Sequence, residues 1–382
     1  MTSGGRDSGA SRPAVRAGVP ADGGLPTDGW PAVSIIVVAT DVDYARRTVA
    51  ELLAEPYPGE FEILLAAPSE PESAPGGRQA DGEPGQADPL EELAADPHVA
   101  VVHAKSDAKA ALINAAAFAA RYPVLSQVRR GAGDWINLLK QAASAMEVTG
   151  ADVVGGSSVA FGLGSSEQAI SRALNSRIGV GPRPSRVGVG RGPVASVRMV
   201  AIRRDAFERV GGLNEAFAGA QDWELQHRVR RAGGMVWLDP SLALRGRSPS
   251  TSGELARTMF RIGAWRRRII TAHSDTSTWR YLMAPLLVVL LALAVVGGIA
   301  ASLAGVGHAW WALTAPLAYG LAVAAGVAVA SHDLRPGGKV RMWWAVIVIH
   351  LAWGLGFWFG GRGRRRGRRR DRPAGEPRAV AD

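Results

Sequence analysis

The sequence predicts an open α/β sheet unit followed by a group of membrane-type helices. Short β-branched runs, apolar on both faces, alternate with helical patterns through the first two thirds of the chain. A parallel sheet covered by helices on each side reads this way. Three almost uncharged stretches then follow one another between residues 282 and 360. Each is close to the ~20 apolar residues that cross a bilayer.

Residues 1–30 are rich in Gly, Pro and Ser and read as a disordered leader, because they bury too little surface to offset ordering entropy. They hold no apolar core of the ~7–15 residues that a secretory signal carries, so the sheet unit is expected in the cytoplasm. That unit is expected over 31–258. Residues 33–39 are its first strand. Residues 43–55 follow with helical spacing at Ala45, Val49, Leu52 and Leu53, and Pro56-Tyr57-Pro58-Gly59 stops them. Residues 61–66 form a second strand, completing a βαβ unit. The polar stretch 68–90 is expected to be a mobile loop. Strands at 99–102, 124–128 and 152–156 alternate with helices at 107–121 and 135–149. Residues 178–193 read as a Gly-, Pro- and Arg-rich loop. A short helix at 205–210 ends at Gly211-Gly212, and another at 222–231 ends at Gly233-Gly234. A late strand covers 235–238.

Residues 259–280 carry Phe260, Trp265 and Arg266–Arg268, the aromatic and basic mixture of an interfacial helix or linker. Trp265 and Arg266 are its candidate acceptor and interface residues. The spans at 282–303, 310–330 and 342–360, within a membrane region of 281–361, are apolar all round. Arg266–Arg268 and Arg280 place the start of the first span inside, and Arg335, Lys339 and Arg341 place the loop before the third inside. Three crossings would then put the 362–382 tail outside, although it holds eight arginines between Arg362 and Arg372. That opposes the positive-inside tendency. Either the last segment is re-entrant, which Gly354 and Gly356 permit, or one of these assignments does not hold. Net charge is +10. Basic runs beside apolar helices imply anionic lipids as partners, at ~1 kcal/mol per residue near the surface. No nucleic-acid module accompanies them, so nucleic acid is not an expected partner. The absence of cysteine excludes disulfides, thiolate metal sites and cysteine nucleophiles.

Several stretches in order carry a family likeness. They are residues 33–40; Leu52-Leu53-Ala54-Glu55-Pro56-Tyr57-Pro58; Ala108-Lys109-Ala110-Ala111-Leu112-Ile113-Asn114-Ala115; and residues 202–215 leading into Gln221-Asp222-Trp223-Glu224-Leu225. Arg228, Ala232-Gly233-Gly234 and Trp237-Leu238-Asp239-Pro240 follow in register. Over roughly residues 31–360 the chain resembles membrane-bound family 2 glycosyltransferases of the GT-A fold, especially the succinoglycan type. The resemblance implies transfer of a sugar from a nucleotide-sugar to a lipid-linked or polysaccharide acceptor. It also implies a divalent metal, Mg or Mn, on the diphosphate, and a cell-membrane, multi-pass protein. On the matching positions, Asp222 is the candidate base, while Lys109 and Asn114 are candidates to face the donor, a solvated lysine and a helix-face asparagine being the plain alternatives.

The donor-site acids of that pattern are missing. Ala66-Ala67-Pro68 stands after the second strand, and Gln127-Val128-Arg129-Arg130-Gly131 stands where metal carboxylates belong. No metal ligand set is therefore assigned. Arg129 and Arg130 are candidate donor-binding residues, since guanidinium pairs bidentately with phosphate. Two readings stay open. One is a metal-independent transferase; the other is a non-catalytic scaffold of an envelope polysaccharide assembly that has kept its shape and lost chemistry. For Asp222 the plain alternative is a helix cap. Glu224 is expected to pair with Arg228, and His227 to lie on the helix surface.

Overall fold

A computed structural model describes residues 29–69, 90–129, 134–181, 190–217 and 219–360. The loop expected at 68–90 falls largely outside these residues, and Arg130 and the arginine-rich tail fall outside them entirely. The chain forms two compact units. One comprises the chain up to Ser158 with Gly188–Leu244; the other comprises Val159–Val187 with the chain from Arg245 onward.

In the first unit the elements run β1 (Val33–Val38), α1 (Val42–Ala54), β2 (Phe61–Pro68), β3 (Val99–Ala104), α2 (Lys109–Ala119), β4 (Val124–Gln127), α3 (Trp135–Thr149) and β5 (Val153–Gly156). Next in the chain, β6 (Ser158–Phe161), α4 (Ser165–Asn175) and α5 (Arg177–Val180) lead into the second unit. The chain returns through β7 (Gly192–Pro193), β8 (Arg198–Arg203), α6 (Arg204–Arg209), α7 (Gln221–Arg231) and β9 (Val236–Leu238). The eight-stranded sheet has the order β3-β2-β1-β4-β8-β5-β9-β7. Strands β1 to β4 pair in parallel, and so do β5 and β9. Strand β8 runs antiparallel between β4 and β5.

Both faces of the sheet are covered, as the double-sided apolar runs predict. Val33, Ile35 and Val37 join one core with α1 and α3 residues such as Leu52 and Leu139. Ile36, Leu64 and Leu125 join the opposite core with Leu112, Ile113, Phe207 and Leu225. The one acid inside β2 is fully answered. Glu62 accepts from Ser34 Oγ at 2.6 Å, Arg121 N at 2.7 Å and Arg121 Nε at 2.8 Å.

The second unit continues with β10 (Leu244–Arg247), which pairs with β6, then α8 (Ser252–Ala272), α9 (Trp279–Leu303), α10 (Thr314–Ala330) and α11 (Pro336–Phe359). Its core joins Ile170 and Leu174 of α4, Leu255 and Met259 of α8, and Val346 and Ile349 of α11. Among the described residues, three segments are long and apolar enough to cross a membrane: Trp279–Leu303, Trp310–Ala330 and Pro336–Phe359. The first keeps Leu286, Leu290, Leu293 and Val296 exposed, whereas half of the last one's apolar window is buried within the protein.

Two expectations are corrected here. Helix α11 is unbroken through Gly354 and Gly356, so these glycines do not make a re-entrant turn. They let helices approach instead: a Cβ at Gly356 would meet the Phe260 carbonyl of α8, and one at Gly354 would meet Ala284 and Val288 of α9. Arg266, expected at an interface, turns inward. It is 6% exposed, donates to the Thr276 carbonyl at 2.5 Å and lies 3.4 Å above the Tyr281 ring. The cation–π contact and hydrogen bond outweigh exposure of a charge that has both partners at hand. Trp265 beside it is partly buried.

Candidate functional site

The carbonyl ends of β1, β2, β4, β5 and β9 lie along one edge of the sheet, and β8 begins there because it runs the opposite way. Ligands of open α/β sheets bind outside this edge. Four charged side chains meet at it. Arg129 lies two residues past β4. Arg198 is the first residue of β8, and the β4–β8 register, continued beyond its last pair, sets it level with Arg129. Lys109 is the first residue of α2, and Asp222 is the second residue of α7.

The strands and helices that carry Arg129, Arg198 and Asp222 are tied together by neighbouring side chains. Ser126 Oγ donates to the Val200 carbonyl at 2.8 Å and accepts from Trp135 Nε1 at 3.1 Å, tying β4, β8 and the start of α3 together. The Gln226 side chain takes both backbone groups of Val197, at 2.8 and 3.1 Å, and so fixes the start of β8 beside α7. Arg228 donates to both oxygens of Glu224, at 2.9 and 2.7 Å. It also reaches the Val210 carbonyl and, at 2.7 Å, the Gly212 carbonyl. Gly212 has φ of 69° and its Cα packs against Asn114 and Phe207, so only glycine fits without strain.

Asn114 is drawn into the same clamp. Its Oδ1 accepts from Leu213 N and its Nδ2 donates to the Leu213 carbonyl, both at 2.8 Å. The structure therefore shows it holding the loop before α7, with one hydrogen bond from each end of its amide. His227 is also unlike its expectation: it is 4% exposed and stacks on Trp223 with ring centroids 5.5 Å apart. Burial of its ring against the indole outweighs the polar character that suggested a surface place.

Asp222 is not the helix cap. Ala220 holds that place and caps with no side chain. The Asp222 carboxylate instead accepts from Arg129 Nη2 at 2.5 Å, with side chains 30% and 13% exposed respectively. Burial alone would push this carboxyl up, but Arg129, then Arg198 and Lys109, hold it below the ordinary carboxylate value. Desolvation and the Arg129 charge both lower the Lys109 pKa, although much of the residue stays accessible. Arg198 is shifted downward for the same two reasons. The buried Nε of Arg129 has no partner among the described residues. Among the described residues, three cations thus surround one carboxylate, with a donor still unspent.

This donor set does not fit a divalent metal. Hard cations take carboxylate and carbonyl oxygens, and the residues after β4, from Gln127 to Gly133, include no acid. Asp134, the next one, accepts from Asn137 N at 2.9 Å as the cap of α3. The chemistry available is compensation of phosphate charge by guanidinium and ammonium groups. Arg198 escaped the sequence reading. The run from Met199 to Ile202 is continuously apolar, as in a strand covered on both faces, but nothing local announces that the strand inserts between β4 and β5.

No family model matches the chain. It is 29% identical over 210 residues to the succinoglycan biosynthesis protein ExoA of Rhizobium meliloti (strain 1021). The match covers 55% of this chain and 61% of ExoA, so it spans less than two thirds of that relative. Among solved structures, TarS of S. aureus (residues 1–349) aligns over 86% of this chain and 90% of its own, at 13% identity and a TM-score of 0.36. GalNAc-T7, solved with UDP, GalNAc and Mn2+, aligns over 63% of this chain and 47% of its own, at 12% identity and a TM-score of 0.37. The chain is thus similar over about half its length to a succinoglycan biosynthesis protein, and it joins an open mixed α/β sheet to apolar C-terminal helices.

Proposed function

We propose that this protein transfers a sugar from a nucleotide-sugar to a lipid-linked or polysaccharide acceptor in cell-envelope polysaccharide synthesis, holding the diphosphate on arginine and lysine rather than on a metal. The observation that carries this reading is Arg129, which points Nη2 at Asp222 and keeps a buried Nε without a partner among the described residues. In the transfer, the acceptor hydroxyl oxygen bonds to the anomeric carbon. The bond from that carbon to the diphosphate breaks, and the diphosphate leaves with the electron pair. Asp222 takes the hydroxyl proton. Arg129, Arg198 and Lys109 compensate the charge that develops on the leaving group. A diphosphate that recruits Arg129 also releases Asp222, raising the carboxylate's basicity at the moment a base is needed. The sheet unit works on the cytoplasmic side of a multi-pass membrane protein, as the arginines flanking the first span favour.

One observation favours the scaffold reading. A carboxylate tied to arginine and held below its ordinary pKa is a weak base. The two separate in reconstituted membranes supplied with labelled uridine or guanosine diphosphate sugars and a chelator. The transferase reading expects label in the lipid or glycan fraction, and Arg129→Gln abolishes it. Failure of wild-type protein to bind any nucleotide-sugar at millimolar concentration sinks it. The scaffold reading expects no transfer at all.

A further inference from the structure

The start of β8 carries Arg198, yet the sheet itself holds it weakly. Strand β8 pairs with β4 at Arg203 and Ile202, opposite Val124 and Leu125, and that ladder ends before Arg198. On its other side it pairs with β5 as far as Arg198, opposite Gly156, across a register shift between Val154 and Gly155. Val197, one residue earlier, lies beyond both ladders and is nevertheless buried. Its N–H and carbonyl need partners, because an unpaired buried backbone group costs about as much as a lost hydrogen bond.

One side chain supplies both. Gln226 Oε1 accepts from Val197 N at 2.8 Å, and Gln226 Nε2 donates to the Val197 carbonyl at 3.1 Å. The amide thus pairs with both backbone groups of one residue, as a neighbouring strand does in an antiparallel ladder. Gln226 is fully buried, so water does not compete for these bonds. The same helix supplies Asp222. The two residues lie four apart on α7, one turn along the same face. The amide therefore links the helix that carries the carboxylate to the strand that carries the guanidinium, at the residue directly before Arg198.

We infer that Gln226 is a positioning residue, acting on the diphosphate through Arg198 by fixing the start of β8 against the first turns of α7. The inference rests on the reading above, in which Arg198 compensates charge on the leaving diphosphate. In Gln226→Met the Val197 groups lose their partners. Water satisfies them only if the start of the strand swings outward, and Arg198 goes with it.

A double-mutant cycle on diphosphate affinity separates this role from a merely structural one. Solubilised full-length protein is titrated calorimetrically with uridine diphosphate and a chelator, as wild type, Gln226→Met, Arg198→Gln and the double variant. Withdrawing one cation from a phosphate weakens binding about tenfold, and both single variants are expected to show it. In the Arg198→Gln background, Gln226→Met should change affinity by less than about twofold. Effects that multiply instead overturn the inference, and so does a Gln226→Met protein that binds as wild type does. If Gln226→Met does not fold, Gln226→Asn replaces it in the cycle. Its amide is one methylene shorter, so it reaches Val197 only by drawing the strand inward, and the same outcomes decide. Ser34→Ala removes a buried hydrogen bond to Glu62 at the opposite end of the strands. It is expected to lower the melting temperature and leave affinity unchanged. A parallel fall in affinity would trace the effect to destabilisation and overturn the inference. Wild-type protein that binds no diphosphate sinks the transfer reading and this inference together; binding with multiplying effects sinks this inference alone.

Discussion

Replacing Asp222 by asparagine should tighten diphosphate binding while it abolishes transfer. In the free protein one carboxylate offsets three cations and occupies Arg129. A diphosphate seated on Arg129 would bring a phosphate charge to roughly 6 Å from that carboxylate. With an effective dielectric between about 20 and 80, the repulsion removed per phosphate charge is ~0.7–2.8 kcal/mol, or roughly 3- to 100-fold in affinity. A value near tenfold suits a group that is 30% exposed. Loss of the base should cost ~10²–10⁴ in turnover over the same substitution. Titration calorimetry with uridine diphosphate in the presence of a chelator measures the first effect, and transfer of labelled sugar measures the second. Weaker binding in the asparagine variant would refute the reasoning, because the carboxylate would then be helping the ligand rather than competing with it. Undiminished transfer would remove Asp222 from the chemistry.

Other expectations follow from the same contacts. The Asp222 carboxyl titrates lower in the folded protein than in the unfolded chain, so protonation favours unfolding. Its stabilisation is complete above the ordinary carboxylate pKa of ~3.9 and is lost as pH falls through the lower folded value. The stability gap between wild type and Arg129→Met should therefore narrow on acidification, and a widening gap in pH-dependent melting would contradict it. Arg228→Met removes the guanidinium that ties Glu224, 1% exposed, to the Gly212 carbonyl, and breaking a buried pair of this kind costs ~3–5 kcal/mol in denaturant titration; a loss under 1 kcal/mol would mean the clamp is dispensable. Asn114→Leu strands both backbone groups of Leu213 and should cost ~1–3 kcal/mol in the same titration. If Asn114 binds donor instead, stability stays and affinity falls. Gly356→Val drives a side chain into the Phe260 carbonyl, and overpacking of that kind costs ~1–3 kcal/mol; detergent-solubilised protein with unchanged thermal stability would contradict the close α8–α11 contact.

The parts of this fold that are legible in the sequence are those whose causes are local. Strands β1 and β2 are apolar on both faces, and α3 begins at Trp135 and ends before Gly150, a left-handed C-cap. The position of Asp222 could be read from its motif frame. The rest depends on long-range pairing. Strand β7 is only Gly192–Pro193 and exists because β9 lies next to it. Strand β8 has a strand's pattern, but its place between β4 and β5 sets Arg198 beside Arg129 through contacts some seventy residues apart. The clamp role of Asn114 needs Leu213, and the inward turn of Arg266 needs Tyr281. Helix α11 reads from its sequence as an apolar segment; its close packing on α8 and α9 at Gly356 and Gly354 appears only in the fold.

The claim at the centre of the mechanism is that arginine and lysine hold the diphosphate where carboxylates and a metal otherwise would. Calorimetric titration of the solubilised wild-type protein with uridine and guanosine diphosphates, with manganese and with a chelator, tests it most directly. Equal affinity in both conditions, lost in Arg129→Gln, is the result foreseen. Binding that appears only with manganese would contradict it.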